Sequence, residues 1–154
     1  MNGPVVSLAE PLATIPTAVT TRFGRFAVDP SSVIQFPEGL PGFEQNRRFV
    51  LISSDDVAPL HVLHAVDGPD ASFLAVDPRF VLDSYRTTLA IGDRLKIGAA
   101  DDTPLVWLVL VATDGDGASV NLRAPIVINP SMMVGFQVMP HNSLYPLRHP
   151  LAGE

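Results

Sequence analysis

LVWLVLVATDGDGASVNL, residues 105–122, carries the strongest fold signal in the chain. Leu105 to Ala112 is an unbroken apolar run of buried-strand length, well short of the roughly 18 residues of a membrane-spanning helix. A strand with one wet face alternates apolar and polar residues. Continuity instead predicts a strand covered on both faces or crossing the middle of the core. Asp114-Gly115-Asp116-Gly117 follows, and consecutive Asp-Gly steps tolerate the positive φ of tight hairpin turns, so ASVNL is expected to return alongside. The same acidic turn raises a calcium loop, with Asp114 and Asp116 at the first two ligand spacings. The third ligand position is Ala118 and the twelfth is Pro125, so the stretch is read as a turn.

On either side of this hairpin, short β-rich runs alternate with Pro, Gly and Asp clusters: RFGRFAV, SVIQF, RRFVLIS, LHVLHAV, ASFLAV and YRTTLAI before it, then PIVIN and GFQVMP after it. Together they predict an all-β, antiparallel β-barrel-like single domain of about ten short strands. One short helix is expected over Asp93 to Ala99, after Gly92 and stopped by Gly98, and a second helical turn over Gly42 to Asn46. Met1 to Thr21, with prolines 4, 11 and 16 and no sustained period, reads as a flexible N-terminal extension. The folded domain is expected over residues 22–147, with a C-terminal tail over residues 148–154.

At 154 residues the chain can bury roughly 68 to 70% of its unfolded surface, enough for one core. It is 47% hydrophobic and 17% charged, which excludes a disordered chain. The N-terminus has no basic region and carries Glu10, so a cytoplasmic location with no membrane association is expected. Absence of cysteine excludes disulfides, thiolate zinc sites and thiol catalysis. The net charge of −6, with Lys96 the sole lysine, disfavours direct nucleic-acid binding and favours a basic protein partner.

Catalytic constellations are not found. His61 and His64, three apart in a strand-like run, point to opposite faces, and His141 and His149 lack a carboxylate at ligand spacing. GASVN around Ser119 has Asn121 where a nucleophile elbow needs glycine, and no phosphate-binding glycine motif is present. Asp55-Asp56 and Asp101-Asp102 sit in polar loops beside proline and read as solvated turns. No enzyme, cofactor or metal is expected. A small ligand-binding or hydrolytic barrel stays open as an alternative, one that a packed interior would remove.

FPEGLPGFE, residues 36–44, is a shaped loop, since its prolines and glycines bar a helix or central strand, yet it is unusually apolar. Phe36 and Phe43 are expected to bury against the barrel, with Leu40 at the tip between Gly39 and Gly42 facing a partner.

Four segments in order, QFPEGLPGFEQNRRFVLI, LHAVDGPDASFLAVDP, ASVNLRAPIVINP and GFQVM, resemble the flagellar assembly factor FliW family over about Phe23 to Leu147. Phe36, Pro37, Gly39, Leu40, Pro41, Gly42 and Phe43 match its FxxGLPGF pattern. Asn121, Ala124, Pro125, Ile126 and Asn129 match NLxAPIxIN, which is read as scaffold with one buried face. The resemblance implies a non-enzymatic β-barrel-like protein with two partners, flagellin and the basic RNA-binding translational regulator CsrA. Flagellin holds the factor until export frees it to bind CsrA and relieve repression of flagellin translation. Between Asp77 and Leu89 the chain departs from the family's aromatic-rich, acidic pattern, reading DPRFVLDSYRTTL, and Arg86 there disfavours a basic partner. A flagellin-binding chaperone without CsrA control is therefore the alternative. Candidate partner contacts are Leu40, Phe43, Phe80 and Tyr85, with Glu44, Asp70 and Asp83 as an acidic rim. A monomer is the default expectation.

Overall fold

The computed structural model describes residues 18–115, 117–140 and 143–151. Residues 1–17 of the expected extension, residues 152–154 of the expected tail, and Asp116 and His141 lie outside the described residues. Among the described residues eleven strands are present, one more than the sequence suggests.

Four strands form an antiparallel meander: β4 (Arg48–Ser53), β5 (His61–Ala65), β6 (Ser72–Val76) and β7 (Val106–Asp114). β3 (Val33–Gln35) pairs with β4, and β9 (Ile126–Asn129) with β10 (Val134–Gln137). Two contacts close the ring. β9 pairs with the first part of β7, from Val106↔Ile128 to Leu108↔Ile126, and β10 meets β3 in parallel at Val134↔Gln35. The result is a closed barrel of the seven strands β3, β4, β5, β6, β7, β9 and β10. Closure removes the exposed edges that an open sheet would present.

The run that dominated the sequence makes this possible. β7 is nine residues long, so one edge takes β9 and then β8 (Gly117–Val120) in succession while the other holds β6. Its two faces are both covered, with Leu108 in the barrel interior and Val109 in an outer cluster beneath Tyr85. Asp114 pairs with Gly117 across the acidic turn, and Arg148 forms an ion pair with Asp114.

The interior is filled by Ile34, Phe36, Leu40, Phe49, Leu63, Leu108, Ile126 and Ile128. Phe36 and Phe49 meet edge to face at 5.0 Å, and Phe36 lies where a side chain on residue 135 would stand, so β10 carries Gly135. Leu40 reaches the same interior, which corrects the expectation that it faces a partner. Gly39 adopts a φ of +65°, and a Cβ there would come within 2.7 Å of the Glu44 backbone. That tight fold turns Leu40 inward and Phe43 outward. Phe43 is 41% exposed and packs its edge on Phe73 at 4.9 Å, so it too departs from the burial expected of it.

Three elements wrap the outside. The hairpin β1 (Ala18–Thr21) and β2 (Gly24–Ala27) is a separate two-stranded sheet that sets Val19, Phe26 and Val28 on Val50, Ile52 and Val62. Helix α1 (Pro78–Val81), capped by Asp77, brings Val81 and Leu82 to the cluster beside β7. Helix α2 (Ile91–Lys96), two residues earlier than expected, is followed by Ile97, which buries on Val127 and Phe136. β9 is therefore buried on both faces, where the sequence pattern suggested one. Two further expectations are corrected. Gly42–Asn46 forms consecutive turns and no helix, and YRTTLAI is no strand, because Tyr85 and Leu89 turn into different outer clusters and leave the residues between them unpaired. Paired β-structure runs from Ala18 to Pro150, since β11 (His149–Pro150) adds to β8, and so extends beyond residues 22–147 at both ends.

His64, buried on the outer face of β5, is within 2.6 Å of Ser72 Oγ through Nδ1, while Arg22 of the hairpin turn donates to the Ser72 carbonyl at 3.0 Å. Burial pushes the His64 pKa down, opposed by the nearby Asp70. Its stabilising effect is thus present above the ordinary histidine value of about 6.5 and lost as pH falls below it, because the unfolded chain takes up the proton first. Urea midpoints should drop on acidification from pH 7 to 5, and the His64→Gln variant should show a shallower drop. Leu40→Ala should cost about 2–5 kcal/mol in urea unfolding by leaving a void in the barrel.

Candidate protein-binding groove

The ends of the loops converge beside one mouth of the barrel. There the Phe36–Glu44 loop, the Tyr85–Ala90 segment, α2, the end of β10 and Ser143–Tyr145 border an open groove of about 1190 Å³.

One wall is the loop. Arg47 donates from Nε to the Glu44 carbonyl at 2.6 Å and from Nη1 to the Pro37 carbonyl at 2.7 Å, which fixes the loop from behind. Glu44 accepts the Gly42 N–H at 3.0 Å, and this bond holds its carboxyl below the usual glutamate range, so it is ionised at neutral pH. Lys96 of α2 reaches Glu38 at 3.2 Å and Asp93 at 4.0 Å, and its ammonium lies 5.2 Å from the Phe136 ring centroid. It thereby joins loop, helix and barrel at the groove.

The opposite wall is held by two tyrosines. Tyr85 donates its hydroxyl to the Leu122 carbonyl at 2.9 Å and stacks on Tyr145 at 4.4 Å. Tyr145 in turn accepts the Arg86 N–H at 2.8 Å, and Arg123 donates to the Tyr145 carbonyl at 2.9 Å. Burial, and then the Tyr145 phenol, push the Tyr85 pKa up to about 12. Beyond Tyr145, the side chain of Leu144 is 97% exposed and Met139 is 57% exposed, while Ile91 and Leu95 stand one turn apart on the solvent face of α2. Large aliphatic groups left in water beside a groove mark a surface for a partner.

The expected contacts divide. Glu44 and Tyr85 border the groove, but Tyr85 is buried and serves as a support, which corrects its assignment as a contact. Phe43 and Asp70 share a smaller hollow of about 270 Å³ with Arg22 and Phe73. Phe80 and Asp83 are exposed but border neither depression. Leu40 is inside the barrel. Sequence reasoning missed Leu144 and Met139 at the groove and the exposed pair Ile91 and Leu95 on α2. The i, i+4 spacing of Ile91 and Leu95 with no apolar residue between them was the available signal.

Fold and groove define a class: a filled, closed β-barrel whose outer surface, not its interior, is open to other molecules. A family model described as FliW protein matches residues 17–151. The flagellar assembly factor FliW of Geobacter sulfurreducens is 33% identical over 133 residues, spanning 85% of this chain and 83% of that protein. The factor of the same name from Moorella thermoacetica is 32% identical over 139 residues, 88% of each. A crystal structure of the flagellar assembly factor FliW superimposes with a TM-score of 0.78 at 26% identity, covering 88% of this chain and 97% of that one. The chain belongs to the FliW family of flagellar assembly factors.

Tyr85→Phe should cost about 1 kcal/mol, with a larger loss where the Leu122 carbonyl stays unpaired. In absorbance titration at alkaline pH, Tyr85 should ionise near 12, and stability should be complete below about pH 10 and fall as pH rises through 12.

Proposed function

We propose that this chain is a non-enzymatic cytoplasmic factor that binds flagellin and, once flagellin is exported, a basic RNA-binding regulator of the CsrA type, so that flagellin synthesis follows its secretion. Membership in a family named for flagellar assembly supports a role through protein partners. The observation that carries the reading is the distribution of apolar side chains. Phe36, Leu40, Phe49 and Leu63 fill the barrel, while Leu144 and Met139, which border the groove, remain exposed, as do Ile91 and Leu95 on α2. The filled interior and the aliphatic rim favour a macromolecular surface over the small-ligand alternative. The net charge of −6 favours encounter with a basic regulator. Among the described residues no helix is long and apolar enough to cross a membrane.

A second reading, flagellin binding without control of the regulator, is favoured by Arg86. Its guanidinium is exposed at the groove and has no carboxylate partner among the described residues, so it would repel a basic protein docking there.

Calorimetric titration of the purified chain with flagellin and with the CsrA-type regulator tests both readings. Flagellin should bind at micromolar concentration or tighter. Under the first reading, adding the chain to a regulator–RNA complex releases RNA, and added flagellin reverses the release. Under the second, the RNA stays bound. Failure to associate with either protein would refute both.

A further inference from the structure

The groove contains a second feature that its apolar rim does not explain. Between Tyr85 and α2, the backbone N–H groups of Thr87, Thr88 and Leu89 make no hydrogen bond among the described residues, and neither do the carbonyls of Arg86, Thr87, Thr88 and Leu89. The segment is held at both ends, by the Tyr85 hydroxyl on Leu122 and by burial of Leu89 in the cluster under α2, with Arg86 N–H on Tyr145. A fixed stretch of unpaired donors and acceptors along a groove is the template to which an extended chain adds as a strand.

Charge selects what that chain carries. Lys96 is already engaged by Glu38 and Asp93, so its positive charge is satisfied within the fold. Arg86, on the unpaired segment itself, has no carboxylate partner among the described residues. A guanidinium facing a groove pairs best with a carboxylate, which it can grip through two parallel N–H donors.

Resting on the reading of this chain as a flagellin-binding factor, we propose that the groove captures an extended, carboxylate-bearing segment of flagellin. The segment pairs its backbone with Thr87–Leu89, sets a carboxylate on Arg86 and lays aliphatic side chains on Leu144 and Met139. The basic regulator docks elsewhere, away from Arg86.

Titration of flagellin with wild type, Arg86→Glu and Leu144→Ser, with hydrogen exchange on the complex, tests this directly. Both substitutions are at exposed positions, so unchanged circular dichroism and melting temperature should accompany them. Arg86→Glu is expected to weaken flagellin about tenfold or more, Leu144→Ser by a smaller factor, and the amides of Thr87, Thr88 and Leu89 should exchange more slowly in the complex. Regulator affinity should not fall in Arg86→Glu. The proposal is overturned if flagellin binds Arg86→Glu as it binds wild type, if these amides keep their free exchange rate in the complex, or if the substitution weakens the regulator instead. Absence of flagellin binding to the wild-type chain would remove the functional reading itself, a different result from normal wild-type binding that the variants leave unchanged.

Discussion

Everything in this fold rests on the packing of one ring, Phe36, inside the barrel. β3 and β10 close the cylinder through a single parallel register pair, Val134↔Gln35, and the Gln35 N–H bonds the Met133 carbonyl at 2.8 Å. So short a seam contributes little by itself, since parallel pairing is the weaker kind and only a few groups take part. Phe36 is the next residue along the chain from β3, and it lies against Gly135 of β10 on one side and Phe49 of β4 on the other. The apolar contact therefore spans the seam that the hydrogen bonds only mark. Burial of a phenylalanine is worth about 1.5–3 kcal/mol, comparable to the few hydrogen bonds it reinforces.

This anchoring has a direct bearing on the groove. Because Phe36 and Leu40 are both rooted in the barrel, the loop that carries Glu38 and Glu44 to the groove is anchored at two points. Lys96 then ties α2 to the same base. The tyrosine pair does for the far wall what Phe36 does for the near one. Both walls are held by hydrogen bonds and ring contacts to the barrel, an arrangement that reduces the ordering cost of holding an incoming chain.

Much of the architecture could be read from local chemistry. The apolar run of β7 and its Asp-Gly turn depend only on neighbouring residues, and so does the recognition of FPEGLPGFE as a loop shaped by proline and glycine. What could not be read was which way side chains face within that loop. Leu40 and Phe43 differ by three positions and have similar apolarity; only the location of the barrel interior, a matter of strands distant in sequence, decides that the leucine goes in and the phenylalanine stays half out. YRTTLAI failed as a strand for a related reason, since Tyr85 and Leu89 are drawn into separate outer clusters built by segments distant in sequence. The two-sided burial of β9 likewise depended on Ile97 arriving from a segment about thirty positions away. At the site, the sequence offered Glu44 and Tyr85 as contact candidates with no groove in view, and the supporting role of Tyr85 depends on a hydroxyl contact with Leu122 that has no sequence signature.

The position of Lys96 has a practical side. With a single lysine in the chain, amine-directed reagents have only that ε-amine and the N-terminus to attack, and that ε-amine sits at the groove, shared among two carboxylates and a phenyl face. Immobilising or labelling the protein through its lysine would place the tether or dye in the mouth of the very surface under study, and would untie loop from helix at the same time. A label attached by way of an engineered cysteine avoids this, since the native chain has no thiol to compete.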